Sequence, residues 1–162
     1  MKLAVLHGLT NSNQYRLTFN FGGGPERQWT KDQSDVVSLL SFAGDFGVAD
    51  LGLEFFHWPE QKVLKHEMRR GRACKVLEST NPNLTSSNAV PPLNYSRVVS
   101  WIDNESGGIV QAEAYDLNNK LLKQFAPKSF KRVNGQWELQ EMEIRNVQTG
   151  SRTRLEFDLD KK

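Results

Sequence analysis

The chain has 162 residues, a formal net charge of +2 and a hydrophobic fraction of 38%. A chain of this length most simply forms one domain, 1–162, and is long enough to bury a substantial core. The small net charge gives little support to a nucleic-acid partner, and the single cysteine, Cys74, excludes an internal disulfide framework. No run of about 18 apolar residues occurs, so no membrane-spanning helix is predicted.

The first part of the chain is predicted to contain a β-hairpin followed by a helix. Residues 3–9 form an apolar run and residues 15–21 alternate between apolar and polar, which is typical of two strands. The glycine run at 22–24 indicates a flexible turn, because no Gly-Lys-Ser/Thr follows it as in a phosphate-binding loop. Residues 33–44 have the broad apolar face of an amphipathic helix.

A dense apolar segment follows at residues 50–59. Phe55, Phe56 and Trp58 lie close together, and Pro59 limits how far any helix can continue. Large apolar side chains at this density need a covering surface, a cavity or a binding partner.

The rest of the chain is predicted to form an antiparallel meander. Strands are expected at 63–68, 72–80, 97–103, 109–115, 120–133 with a break near Pro127, 136–146 and 151–160. A polar, proline-bounded loop is expected at 81–92. Asn134-Gly135 is the strongest turn signal, because both residues tolerate a positive φ. In total about nine strands are expected. From the pattern alone a filled core is favoured over an apolar cleft, since most apolar strand faces are core.

No catalytic residue, metal site or cofactor is predicted. His7, His57 and His66 have no metal-ligand spacing, and no serine lies in a nucleophile-elbow motif. Glu141 and Glu143 project to one face of a strand, which is more typical of a solvated face than of a catalytic carboxylate pair.

Two small basic clusters, at residues 69–72 and 128–132, allow three interpretations. With Trp101, Tyr115 and Trp137 on strands they permit nucleic-acid binding by base stacking and phosphate contacts. Acidic residues are equally spread, so solvated turns are favoured and no nucleic-acid partner is predicted. A basic rim that faces anionic lipid headgroups is the third interpretation.

Several short blocks carry a family resemblance through their order and spacing. They are Asp50-Leu51, Phe56-His57-Trp58-Pro59, and the segments at 71–78, 99–103, 112–116, 120–123, 134–137 and 148–153. Over 50–158 the chain resembles the LolA-like family of bacterial outer-membrane lipoprotein-sorting proteins, and more closely the uncharacterised envelope branch of that group.

The resemblance implies an α+β fold, a curved, unclosed antiparallel β-barrel of about nine strands with one or two helices covering its concave face. It implies a non-enzymatic periplasmic carrier or receptor that shelters lipoprotein acyl chains or another amphiphile in a hydrophobic cavity. It also implies export, with a signal peptide upstream of the printed sequence. The alternative is an envelope protein–protein interaction module with the same fold and no bound lipid.

The cavity implied by the resemblance would be lined by large apolar side chains. They are expected to be Phe55, Phe56 and Trp58 in the lid, and Val99, Trp101, Leu155 and Phe157 on the sheet. Each of these side chains is equally compatible with an ordinary core.

Overall fold

The computed structural model describes residues 2–6, 14–19, 27–30, 50, 53–82, 95–157 and 159. The chain divides into two compact units, residues 1–57 and residues 58–162. The expectation that 1–162 forms one domain stays a prediction.

The first unit contains a three-stranded antiparallel sheet in the order β1-β2-β3. The strands are β1 (Lys2–Leu6), β2 (Gln14–Phe19) and β3 (Arg27–Thr30). The predicted β1–β2 hairpin is confirmed by antiparallel pairing that sets Val5 opposite Tyr15. The four residues of β3 were not predicted, because so short a strand shows no clear alternation. The helix predicted at 33–44 lies outside the described residues.

A short 3-10 helix, Glu54–His57, lies in the dense apolar segment. The N–H of Phe56 donates to the carbonyl of Leu53 at 3.1 Å, and Pro59 follows two residues after the helix. Within residues 53–82 and 95–157, this is the one helix that the structure describes. The predicted covering helices are therefore not confirmed.

The second unit contains a seven-stranded antiparallel sheet in the order β10-β9-β8-β7-β6-β5-β4. Each strand pairs with its neighbour in the chain, as expected for a meander. The strands are β4 (Glu60–Arg69), β5 (Arg72–Thr80), β6 (Arg97–Asp103), β7 (Ile109–Tyr115), β8 (Leu121–Val133), β9 (Gln136–Asn146) and β10 (Arg152–Glu156).

This sheet is curved and unclosed, as predicted, because β4 and β10 remain its two edges. Register shifts in several strand pairs, including one between Trp101 and Ile102 of β6, bend and twist it. The strand count differs from the prediction, since the described residues form ten strands in two sheets.

The two tightest turns each contain two consecutive residues with a positive φ. Asn134 and Gly135 join β8 to β9 with φ values of 50° and 84°. Arg70 and Gly71 join β4 to β5 with φ values of 50° and 76°. Two consecutive positive φ angles in a two-residue loop match the twist of antiparallel strands, which explains the predicted Asn-Gly hairpin.

Candidate functional site

The pairing register divides the side chains of the seven-stranded sheet between two faces. On the first, here the Trp101 face, Trp101 is paired with Val76 on one side and with Gln111 on the other. On the second, the Phe125 face, Phe125 is paired with Ala112 and with Ile144. Because side chains alternate along each strand, these pairs fix the face of the other regularly paired residues.

The Phe125 face is mainly apolar and its centre is fully buried. Phe125, Ile144 and Met142 have no exposed surface, and neither do Ala112 and Ala114 on β7. The side chains are large on β8 and β9 and small on β7. This face therefore has the chemistry of a surface that packs against apolar material.

Three buried polar side chains, Ser79, Ser100 and Lys123, interrupt this apolar face. Ser100 lies on the Phe125 face, where it is paired with Leu77 and with Ala112. It is fully buried, and its Oγ has no hydrogen-bond partner among the described residues. The neighbouring Ser79, equally buried, donates a 2.7 Å hydrogen bond to Gln61 Oε1. An unpaired buried hydroxyl costs about 1–3 kcal/mol, so Ser100 is the unusual member of this pair.

The margin of the Phe125 face at β10 is only partly covered. Leu155 is half-buried and is paired with the fully buried Met142. Phe157, two residues further, is half-buried and donates its backbone N–H to the carbonyl of Gln140 at 2.9 Å. The face thus passes from a buried centre to an accessible apolar margin.

The Trp101 face combines a small apolar cluster with charged side chains. Cys74, Val76, Val99 and Trp101 are buried together. The guanidinium carbon of Arg69 lies 4.0 Å from the centre of the Trp101 ring, where a cation is attracted by the ring face. One face of the indole ring is therefore occupied by a charged side chain of the protein itself.

A carboxylate completes the contacts of Trp101. The indole Nε1–H donates to Glu67 Oε1 at 2.5 Å, and Lys65 Nζ lies 2.7 Å from Glu67 Oε2. The hydrogen bond from Lys65 and then that from Trp101 hold the pKa of Glu67 below its usual value. These contacts stabilise the ionised carboxylate and fix the orientation of the indole.

A second carboxylate organises the middle of the Trp101 face. Glu113 accepts hydrogen bonds from the Tyr115 hydroxyl at 2.6 Å, from Gln111 Nε2 at 2.8 Å and from Gln124 Nε2 at 3.3 Å. Desolvation, followed by the hydrogen bond to Glu113, raises the pKa of Tyr115 to about 12. Arg97 lies over the Tyr115 ring at 4.3 Å. These groups bind one another, an arrangement suited to holding strands together.

An open polar cleft of about 440 Å³ lies where the β4–β5 and β6–β7 turns meet, and its lining includes Arg70, Arg72, Asp103 and Glu105. Arg72 Nη1 lies 3.1 Å from Asp103 Oδ2. The Ser106 hydroxyl also donates to Asp103, and this hydrogen bond is the main reason that the pKa of Asp103 is lowered. The basic cluster at 69–72 is thus partly used within the protein, by Trp101 and Asp103.

The structure separates the side chains predicted to line the sheet. Val99 and Trp101 are brought together on the Trp101 face. Leu155 lies on the Phe125 face, and Phe157 continues its alternation. One face of the sheet therefore does not carry all four residues, and a cavity on the Phe125 face would be lined by the second pair alone.

The three predicted lid residues lie on both sides of the division at residue 57. Phe55 is buried, Phe56 is half-buried, and their ring centres are 4.6 Å apart. Trp58 is half-buried, and its carbonyl accepts a hydrogen bond from Gln61 Nε2 at 2.9 Å. Their role in a lid stays a prediction.

Sequence reasoning did not select the residues at the centre of the Phe125 face. Ala112 and Ala114 alternate within the predicted strand 109–115, but alanine gives a weak signal of burial. Phe125 and Met142 lie in long strands that are interrupted by register shifts beyond Pro127. Their common face could not be established without the pairing.

The described residues contain no group of three or more histidine, cysteine, aspartate or glutamate side chains placed to hold a metal ion. None of the helices that the structure describes is long and apolar enough to cross a membrane.

The sequence was compared with models of protein families and with curated proteins. A family model with the description "Uncharacterized protein" matches residues 39–160. No curated protein matches the chain.

Three solved structures are similar to this chain. A domain from Vibrio parahaemolyticus assigned to outer membrane lipoprotein sorting is 21% identical, with a TM-score of 0.68 over 96% of this chain and 74% of that one. A DUF1329 family protein from Desulfovibrio piger is 16% identical, with a TM-score of 0.65 over 96% and 70% of the two chains. A LolA superfamily protein from Nitrosomonas europaea is 14% identical, with a TM-score of 0.59 over 91% and 70%. The predicted resemblance to LolA-like proteins is thereby confirmed at the level of the fold.

Proposed function

The chain belongs to the family whose model matches residues 39–160 and has a LolA-like fold, and from this premise we propose that it is a non-enzymatic carrier or receptor for acyl chains. Its ligand would be the acyl portion of a lipoprotein or of another amphiphile. The compartment proposed is the periplasm, the setting implied by a lipoprotein-sorting fold. The observation that carries the proposal is the apolar Phe125 face, with its buried centre and accessible margin.

Burial of apolar surface would supply the binding energy for such a ligand. Each buried methylene contributes about 0.8 kcal/mol, so a sixteen-carbon chain offers on the order of 10 kcal/mol before ordering costs. Leu155 and Phe157 at the half-buried margin are the proposed entry residues. The unpaired hydroxyl of Ser100 would supply one hydrogen bond to a polar atom, such as an ester carbonyl, that accompanies the chain.

Lid residues complete the proposal. Phe55, Phe56 and Trp58 stay the predicted lid residues, because all three combine a large apolar area with at least partial burial. Val99 and Trp101 are assigned to packing within the Trp101 face, since Arg69 and Glu67 already bind the indole.

A fluorescent sixteen-carbon fatty acid tests the proposal. Leu155→Gln places a polar group on the margin of the Phe125 face, and we expect it to weaken saturable binding by at least about tenfold. Arg152→Gln is the matched control, because Arg152 is exposed on the same strand but opposite Arg145, on the Trp101 face. Equal affinities for the two folded variants would refute the assignment of this face.

A protein-binding module is the second candidate, favoured by the edge strand β4. Val63, Leu64 and Met68 on this strand are 49%, 42% and 65% exposed, and an edge strand offers unpaired backbone groups to another chain. Under this alternative the protein would be free of lipid, and a Val63→Lys substitution would abolish cross-linking to an envelope protein.

A further inference from the structure

The hairpin formed by β8 and β9 extends beyond its neighbours. Strand β7 pairs with β8 only as far as Phe125, and β10 pairs with β9 only from Glu141 to Arg145. Among the described residues, 130–139 therefore form ladder pairs only with one another, and this segment is named the β8–β9 arm. Two register shifts between Pro127 and Phe130 lie at its base, where such irregularities bend a strand pair.

One face of the β8–β9 arm is amphipathic. Phe130 is paired with Leu139 and Arg132 with Trp137, so these four side chains project to the same side. Trp137 is 69% exposed and Phe130 43% exposed. Two accessible aromatic rings on one projecting hairpin are unusual for a solvated surface and indicate an interaction site.

The positive charge of the arm favours an anionic partner. Lys131 lies opposite Glu138 in the strand register, so Arg132, paired with Trp137, gives the arm its net positive charge. Arg132 Nε donates to the carbonyl of Gly135 at 3.3 Å, which holds the guanidinium beside the turn and Trp137. An indole next to an arginine is the combination found at the boundary between lipid headgroups and acyl chains.

We propose that the β8–β9 arm docks on the surface of an anionic lipid bilayer. Trp137 and Phe130 enter the headgroup layer, and Arg132 binds lipid phosphate. The proposal rests on the geometry and charge of the arm alone, so it holds whether or not the Phe125 face takes up an acyl chain. A protein partner for the same arm is the competing outcome.

Vesicle flotation tests the proposal with the full chain. We expect the protein to float with vesicles that contain phosphatidylglycerol, to bind pure phosphatidylcholine vesicles more weakly, and to be released by salt. Trp137→Ser should reduce partitioning by at least about tenfold, and Arg132→Gln by about fivefold. Leu117→Ser is the matched control, because Leu117 is 72% exposed in the β7–β8 turn, outside the arm, and it should leave partitioning unchanged.

Three results would overturn the proposal. The first is absence of binding to either vesicle. The second is an equal loss of binding in Leu117→Ser and Trp137→Ser. The third is an envelope protein, captured by the wild type and lost only in Trp137→Ser, in the absence of vesicle binding. All variants alter exposed side chains, so circular dichroism should show the same folded state for each.

Discussion

Two serines on the Phe125 face provide a matched test of the structure. Ser79 and Ser100 lie on the adjacent strands β5 and β6, and both are fully buried. Ser79 Oγ donates to Gln61 Oε1 at 2.7 Å, whereas Ser100 Oγ has no partner among the described residues. Replacing each in turn with alanine removes the same atom from two similar sites and differs only in the hydrogen bond that is lost.

The structure predicts opposite signs for the two substitutions. Ser100→Ala removes a desolvated hydroxyl without breaking a hydrogen bond, so the free energy of unfolding should rise by about 1 kcal/mol. Ser79→Ala breaks a hydrogen bond, so the free energy of unfolding should fall by about 1 kcal/mol. The small cavity left by the missing oxygen is common to both variants and cancels in their difference.

Urea denaturation of delipidated protein, followed by circular dichroism, measures this difference. A gap of about 2 kcal/mol between the two variants, with equal dependence of the free energy on urea, is the expected result. If Ser100→Ala lowers the free energy of unfolding as much as Ser79→Ala does, the Ser100 hydroxyl has a hydrogen-bond partner and is not the unpaired group that the structure shows.

Three further predictions concern the core, one titration and one turn. Met142→Ala should lower the free energy of unfolding by about 2–5 kcal/mol in urea, whereas Met68→Ala, at a 65% exposed site, should change it by less than about 0.5 kcal/mol; equal costs would contradict the assigned core. The pKa of Tyr115 is raised to about 12, so the contribution of this residue to the free energy of unfolding should be complete below the ordinary pKa near 10 and should fall as the pH rises towards 12. Ultraviolet titration of the wild type should show a phenol that ionises near pH 12 and that is missing from Tyr115→Phe. Identical titration curves for the two proteins near pH 12 would contradict this. Gly135→Ala should cost about 1 kcal/mol in thermal unfolding, because φ is 84° and no atom lies near the added Cβ; a neutral substitution would contradict the turn geometry.

Much of the meander could be predicted because its local signals are strong. The bounds of β5, β6, β7 and β9 agree with those expected from alternation and from turn residues. The turn at Asn134-Gly135 could be recognised directly, since few other dipeptides tolerate two positive φ angles. These features depend on interactions between residues that are close in the sequence.

Pro127 shows how tertiary context changes a local prediction. A break was expected there, yet β8 continues from Leu121 to Val133. Strand β7 stops pairing with β8 at Phe125, so Pro127 needs no N–H for a partner on that side. The length of the neighbouring strand, which the proline does not encode, decided the outcome.

The common lining of the candidate cavity could not be predicted for a related reason. Alternation shows that Trp101 and Leu155 each lie on the apolar side of their own strand, but it does not relate one strand to the next. The register through β7, β8 and β9 places these two residues on opposite faces. Register shifts move side chains from one face to the other and leave little trace in composition.

Native mass spectrometry of gently purified protein can show whether the Phe125 face holds an acyl chain. We expect a folded species heavier than the chain by the mass of one fatty acid or phospholipid, and loss of that species in Leu155→Gln but not in Arg152→Gln. A wild-type protein that carries no lipid, and that gains none after incubation with phospholipid vesicles, would mean that this face binds no acyl chain.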